Sequence, residues 1–435
     1  MLLEKKYTNV KETTTFPIEN FEEFKMKMLN WASQFNIFCL LDNHQYNFET
    51  PAFECLLAAG CKHNLEASAG NAFDQLKAFS NQHKDWLFGH LGYDLKNETE
   101  KLQSNNVDGV NFPDTHFFVP EFVLQLNATQ LTIFSASDSR EIFLAISSCP
   151  SSVSSKPDSN ISIKSRIKYQ EYIDTVKKLQ AHILRGDCYE INFCQEFFAD
   201  NAVIQPVAVY NKLTAVSPMP FAALYKLNDQ YCICASPERY LKRWGSKVIS
   251  QPIKGTAKRN LLDRLQDASN REQLSVSEKE KTENVMVVDL VRNDLSKICK
   301  LGTVKVEELF GIYTFPQVHQ MISTVSGELE ADIHWTDIVK ATFPMGSMTG
   351  TPKKRVMELI EQYEQTKRGL FSGAIGYVMP NGDFDFNVVI RSILYNSATS
   401  YLSFQAGSAI TFYCDAASEY EECLLKAQAI KNVLE

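Results

Sequence analysis

Residues 169–197 combine, within one short stretch, two periodicities that together limit the folds open to this chain. Ile173, Val176, Leu179 and Ile183 recur at helical spacing between Tyr169 and Arg185, and Gly186 follows where a helix would end. From Cys188 to Phe197 the period falls to two. Tyr189, Ile191, Phe193 and Phe197 point one way, and Glu190, Asn192 and Glu196 the other. A long amphipathic helix feeding a long strand demands a sheet with helices packed on it. The same mixture recurs elsewhere. Phe21, Phe24, Met28, Trp31 and Phe35 mark a helix after Asn20, while 38–41 and 131–134 read as buried strands. Further helices are expected over 277–292, after Thr351 with Pro352 at the first helical position, and from Ser418 with Glu421 closing a capping box. Helices, long connections and strands that look antiparallel give an α+β fold.

The chain has 435 residues, 44% of them hydrophobic, enough for two domains or one large double-layered one. The run from Ser147 to Pro157, rich in serine and proline, reads as a surface connection. It suggests an N-terminal α+β part at 1–146, a connection at 147–160 and a C-terminal part at 161–435. A net charge of −8 supplies no attraction to nucleic acid or anionic membrane. The Met1–Lys6 start lacks the apolar core of a signal peptide, and no apolar run approaches membrane-spanning length, so a cytoplasmic location is expected. The eleven cysteines lack zinc spacing and suit buried free thiols in a reducing compartment; Cys232 and Cys234 would share one strand face. The eight histidines form no metal-binding pattern, which leaves carboxylates as the means of holding a hard cation.

The most informative residue is Lys254, in Pro252-Ile253-Lys254-Gly255-Thr256 at the end of a strand-like run from Val248. Partial burial would free an amine lone pair for nucleophilic attack, although a lysine at a strand end is ordinarily a snorkelling surface cation. Its wider setting favours the first reading. Ser236-Pro237-Glu238-Arg239-Tyr240 precedes it, and Glu283-Asn284-Val285-Met286-Val287-Val288-Asp289-Leu290 follows. Then come Gly346-Ser347-Met348-Thr349-Gly350-Thr351-Pro352-Lys353, Phe386-Asn387-Val388-Val389-Ile390-Arg391 and Glu419-Tyr420-Glu421-Glu422. Arg391 sits in an apolar run, where a guanidinium needs an anion, and its fork matches a carboxylate. Glu419, Glu422 and Lys426 fall on one helical face, and Glu280 lies one turn before Glu283.

In order and spacing these motifs resemble the chorismate-utilising enzymes, densely over 165–435 and loosely before. The resemblance implies two large antiparallel sheets packed face to face with helices outside. It makes Glu283 and Glu422 Mg²⁺ ligands, with Glu419 and Glu280 beside them, because a dicarboxylate substrate on an acidic protein needs a bridging cation. It assigns Arg391 to a substrate carboxylate, the backbone at Ala406, Gly407 and Ser408 to the same site, and Thr349 to the ring substituents. Lys426 and Glu190 join the substrate site. Glu238 becomes the general acid, a carboxyl kept neutral by desolvation so that it can protonate a leaving hydroxyl. Leu40-Leu41-Asp42-Asn43 loosely resembles the stretch that forms a tryptophan site in feedback-regulated relatives, but Asn43 replaces the serine, which argues against inherited tryptophan regulation and favours a strand-to-turn transition capped by Asp42 and Asn43.

Two positions separate the chemistries of the family. Relatives that form anthranilate or isochorismate usually carry alanine at the place of Lys254 and histidine at that of Asn284. Lysine and asparagine instead match aminodeoxychorismate synthase component I, which implies attack by Lys254 on ring carbon 2 and amination of chorismate at carbon 4. A neutral Lys254 beside a protonated Glu238 is the ionisation this demands. Glu190 departs from the glutamine common in aminating relatives; it could orient ammonia, accept a proton or serve as a polar strand residue. No Gly-x-Cys-x-Gly loop is present, so ammonia is expected from a separate glutamine amidotransferase subunit. Alternatives are an anthranilate synthase component I, a non-catalytic chorismate-binding protein, and a pyridoxal-phosphate enzyme, for which no phosphate cup is evident.

Overall fold

The computed structural model describes residues 12–46, 52–152 and 161–434. Its core is two antiparallel sheets, one of twelve strands and one of ten, with helices packed outside. The α+β expectation holds in full.

Alternation along the strands explains the layering. In Ile37–Asp42 and Cys55–Ala59, Cys39, Leu56 and Ala58 face the space between the sheets, while Phe38, Leu40 and Leu57 face the outer helices. Cys232 and Cys234 lie in the inner core and Ile233 in the outer one, as a period of two requires. All eleven cysteines are free, and most are buried. The helix Phe21–Ala32 forms where expected, with the Asn20 side chain accepting from Glu23 N, and Phe24, Met28 and Leu29 join the outer core. Helix Tyr169–Leu184 ends at Gly186, whose φ is +83°.

The Ser/Pro-rich connection does not separate two sheets. Strand Ile37–Asp42 pairs with Phe221–Leu227 in the larger sheet, and Leu87–Leu91 pairs with Ala374–Val378 in the smaller. Residues 153–160, most of that connection, lie outside the described residues, as does the Met1–Lys6 start. Among the described residues no helix is long and apolar enough to cross a membrane.

Four local expectations shift. Pro352 caps the helix Lys353–Tyr363 from outside rather than opening it. The last helix spans Ala416–Leu434, and Asp415 Oδ1 accepts from Ser418 N at 2.9 Å, so the cap is aspartate and not a Ser418–Glu421 box. Pro252, which has no N–H to donate, splits the run around Lys254 into strands Lys247–Gln251 and Ile253–Lys258. The apolar run before Arg391 belongs to no strand: residues 388–391 form a break between strands Phe384–Asn387 and Ser392–Asn396, with Val388 N donating to Glu238 O at 3.0 Å and Val389 N to Gly373 O at 2.8 Å.

That break opens the site. The short strand Ser392–Asn396 pairs with the longer Tyr401–Ile410 only as far as Leu394 opposite Ser403. Beyond that point Tyr401–Ile410 keeps its partner Glu190–Ala199 on one side alone, leaving a notch beside Arg391.

Between the sheets Tyr225 Oη bridges His90 Nδ1 at 3.2 Å and His116 Nδ1 at 2.6 Å. The Pro113 carbonyl, 2.8 Å from His90 Nε2, can only accept. His90 therefore donates there and receives the Tyr225 hydroxyl proton at Nδ1, while His116 Nδ1 donates to Tyr225. Burial lowers the His90 pKa to about 4; burial and then His90 lower that of His116 to about 3. Tyr225→Phe strands two buried ring nitrogens and should cost about 2–3 kcal/mol in urea denaturation at pH 8. Because both folded pKa values lie below the unfolded one, this pair's contribution to stability is present above about pH 6.5 and is lost as pH falls toward 4. Wild-type stability should decline over that window.

Candidate active site

Lys254 enters the site from strand Ile253–Lys258, directly before Gly255, which adopts φ +92°. A Cβ on Gly255 would lie 3.0 Å from Glu280 Oε2, so glycine lets this strand approach the helix Glu278–Ser296. The ammonium of Lys254 is 2.7 Å from Glu190 Oε1 and 4.0 Å from Glu283 Oε2. Burial acts to lower its pKa, but Glu190, Glu283 and Glu238 more than offset that and hold it well above the usual lysine value. The expectation of a neutral resting amine is therefore corrected: Lys254 rests as a charged partner of Glu190, because burial brought counter-charges with it.

Glu190 opens the strand Glu190–Ala199, opposite Thr351. Gly350, at φ +150°, passes so near that a Cβ there would lie 2.1 Å from Glu190 O. Glu190 is buried, and its Oε2 has no hydrogen-bond partner. A carboxyl group with one oxygen on an ammonium and the other bare has an open acceptor position for a ligand N–H or O–H.

Glu238 lies just before strand Arg239–Trp244 and is 4% exposed. Burial raises its pKa to about 7, against the opposing influence of Ser347, Lys254 and Arg391. The Ser347 hydroxyl faces this carboxyl outside hydrogen-bond geometry. Arg239 turns away to Asp385, at 2.9 and 3.1 Å, so the adjacent pair Glu238–Arg239 does not form an ion pair. A carboxyl raised this far stays partly protonated near neutral pH, the form that the expected general-acid role requires.

Arg391 occupies the break at φ +51° rather than a strand position. Its guanidinium has neither ion pair nor side-chain hydrogen bond among the described residues, and burial lowers its pKa to about 10, with Glu238 opposing. A partly buried, unneutralised guanidinium is a site for an anion. Thr349 is buried, its hydroxyl donating to Gly346 O at 3.2 Å. Ala406, Gly407 and Ser408 lie opposite Gln195, Cys194 and Phe193 on the strand that walls the notch. Ser408 Oγ is 3.5 Å from Tyr172 Oη.

The acidic residues come from two helices. Glu280 and Glu283 stand on Glu278–Ser296, Glu419 and Glu422 on Ala416–Leu434. Burial raises Glu283 to about 7, and Lys254 opposes the shift; Glu280 is likewise raised by burial. For Glu422 burial also acts upward, but Lys426 at 2.8 Å outweighs it and holds the carboxyl below its usual value. Lys426 also donates to Gly407 O at 2.8 Å. Lys279 links the helices, 3.4 Å from Glu419 and 4.0 Å from Glu283, a role the sequence did not suggest. Among the described residues no three metal-type side chains converge in coordination geometry. The donor chemistry nevertheless suits a hard divalent cation: Glu283 Oε1 is buried without a hydrogen-bond partner, and the surrounding donors are carboxylate oxygens.

Asn284 follows Glu283 on the helix; its Oδ1 accepts from Ser323 Oγ at 2.6 Å, and its Nδ2 is buried without a partner. A separate cavity between the sheets, lined by Asp42, Asn43, Phe53, Arg239 and Tyr377 among others, stands apart from Lys254. At its edge Asp42 ends its strand and accepts from His44 N at 2.8 Å, the strand-to-turn transition read from the sequence.

The chain matches the family described as chorismate binding enzyme over residues 37–432. It is 32% identical over 349 residues to the aminodeoxychorismate synthase component 1 of Klebsiella aerogenes, spanning 80% of this chain and 76% of that protein. It is 34% identical over 360 residues to an anthranilate synthase component I-like protein of Synechocystis, spanning 81% and 73%. The crystal structure of anthranilate synthase component I from Streptococcus pneumoniae superposes with a TM-score of 0.77 at 25% identity, covering 89% of this chain and 94% of that one. With the family matched along nearly the whole chain, the notch around Lys254 belongs to a member of the chorismate binding enzymes.

Proposed function

We propose that the chain aminates chorismate at ring carbon 4, giving 4-amino-4-deoxychorismate with the enolpyruvyl group intact. The observation that carries this reading is the buried Lys254–Glu190 contact of 2.7 Å beside a Glu238 carboxyl raised to about 7. Glu190 takes one proton from Lys254 and frees the amine. The amine attacks ring carbon 2, a C–N bond forms, both conjugated ring double bonds shift toward carbon 4, and the 4-hydroxyl leaves as water with the proton of Glu238. Ammonia then bonds to carbon 4, the ring double bonds shift back and the bond to Lys254 breaks, returning the lysine as free amine, which recovers its proton from Glu190; the new ammonium on carbon 4 sheds a proton that restores Glu238. Arg391 pairs with a substrate carboxylate, and Thr349 and the Ala406–Ser408 wall position the ring. Glu283 and Glu422, flanked by Glu280 and Glu419, would hold Mg²⁺, which when bound neutralises a substrate carboxylate. Ammonia comes from a separate glutamine amidotransferase chain, in keeping with the words "component 1" in the name of the Klebsiella relative. The product serves 4-aminobenzoate and folate formation, and the setting is cytoplasmic.

Incubation with chorismate, Mg²⁺ and an ammonium salt should give a product with the mass of aminodeoxychorismate; anthranilate as main product would overturn the assignment. Lys254→Arg should be inactive, since an always-charged guanidinium cannot attack, and wild-type turnover in that variant would remove the nucleophile role. Glu283→Gln and Glu422→Gln should each lower metal-dependent turnover by about 100-fold or more and weaken Mn²⁺ binding followed by calorimetry. Unchanged binding in both would dismiss them as ligands.

Glu238 has a stability cost that is testable without any turnover assay. Its folded pKa lies above its unfolded one, so its favourable contribution is complete below about pH 4.5 and is lost as pH rises through about 7. Glu238→Gln should therefore gain on wild type between pH 5 and 8, by about 3 kcal/mol at most, while losing activity. A stability gap that does not change with pH would contradict the raised pKa.

A further inference from the structure

Arg368 and Glu364 form a fully buried pair, 2% and 5% exposed, near the end of the helix Lys353–Tyr363. The pairing is bidentate, with Nε to Oε2 at 3.0 Å and Nη2 to Oε1 at 2.6 Å. A buried ion pair is commonly no more stabilising than a well-packed apolar one. Its remaining bonds do what an apolar pair could not. Nη1 donates to Met348 O at 2.6 Å, Nη2 donates to Asn192 O at 2.8 Å, and Glu364 Oε1 accepts from Cys194 N at 2.9 Å. Met348 immediately precedes Thr349, and Asn192 lies two residues beyond Glu190 on the same strand. Asn192 closes the junction from the other side, its backbone N donating to Thr349 O at 2.8 Å and its Nδ2 to Ser347 O at 3.0 Å.

We propose that Arg368 is a positioning residue: its guanidinium ties the loop carrying Ser347 and Thr349 to the strand carrying Glu190, and thereby fixes the spacing of the groups that receive chorismate. The inference rests on the reading above, in which Thr349 and Glu190 face the substrate. Only a planar fork can reach two carbonyls on separate segments while keeping a bidentate carboxylate; an ammonium is a point donor. The Tyr93 ring, whose centroid is 4.7 Å from the guanidinium, holds the fork in plane.

Arg368→Lys keeps the charge beside Glu364 and loses the double reach. It should raise the KM for chorismate about tenfold or more, and speed amide hydrogen exchange across 345–350 while the strand Leu87–Leu91 stays protected. A role confined to stability would lower the melting temperature with KM and loop exchange unchanged, and that result would overturn the proposal. Should Arg368→Lys fail to fold, Asn192→Ala removes a single tie to Ser347 O and should shift KM and loop exchange the same way by a smaller factor; wild-type values for both would equally overturn it. If wild type consumes no chorismate, the proposed function falls, and faster exchange in 345–350 of the variants still decides whether the tie exists.

Discussion

Every strand in the middle of the larger sheet serves two cores at once. Phe38 and Leu40 pack under helices while Cys39 packs against the second sheet, so no face is left to tolerate a polar residue without a partner. Some polar groups that lie inside are matched in full: His90 and His116 through Tyr225, Arg368 through Glu364 and two carbonyls. Several polar atoms among the candidate site residues are left bare. Glu190 Oε2, Glu283 Oε1, Asn284 Nδ2 and Ser347 Oγ are all buried and unpartnered. Each costs free energy that a ligand supplying a partner would recover.

The same layering decided what could be read beforehand. Helical and alternating periods are local, so Phe21–Ala32, Tyr169–Leu184 and Glu190–Ala199 were legible from side-chain order alone. Strand partners are not local. Nothing in Leu40-Leu41-Asp42 announces Ala222–Leu224 as its neighbour, and the Ser/Pro-rich run does not announce that strands before and after it share both sheets. Arg391 shows a third kind of limit: Val388 and Val389 are buried as strand residues would be, yet their backbone leaves the sheet, and apolar content cannot report hydrogen-bond pattern.

The candidate site residues themselves stood out, since Lys254, Glu238 and Glu283 are charged residues in otherwise apolar or motif-bearing settings. Their ionisation was half legible. Desolvation alone gives the correct direction for Glu238 and the wrong one for Lys254, whose outcome depends on Glu190, a carboxylate far away in sequence. Lys279 and Arg368 were passed over because a charge within a polar stretch reads as solvated surface; only the packing shows one bridging two helices and the other entirely enclosed.

The interleaving of the two ends of the chain has a consequence for its synthesis. Asp42 is paired with Ala222 and Ile37 with Leu227, so one edge of an early, apolar strand has no partner until the distant segment leaves the ribosome. At roughly 5–20 residues per second that wait is on the order of ten to forty seconds. Through it the nascent chain carries an open sheet edge of Ile37, Phe38, Cys39, Leu40 and Leu41 in a cell crowded with other strands. The period of greatest exposure to wrong pairing thus falls well before the site around Lys254 exists, and it is set by the order in which the strands are translated.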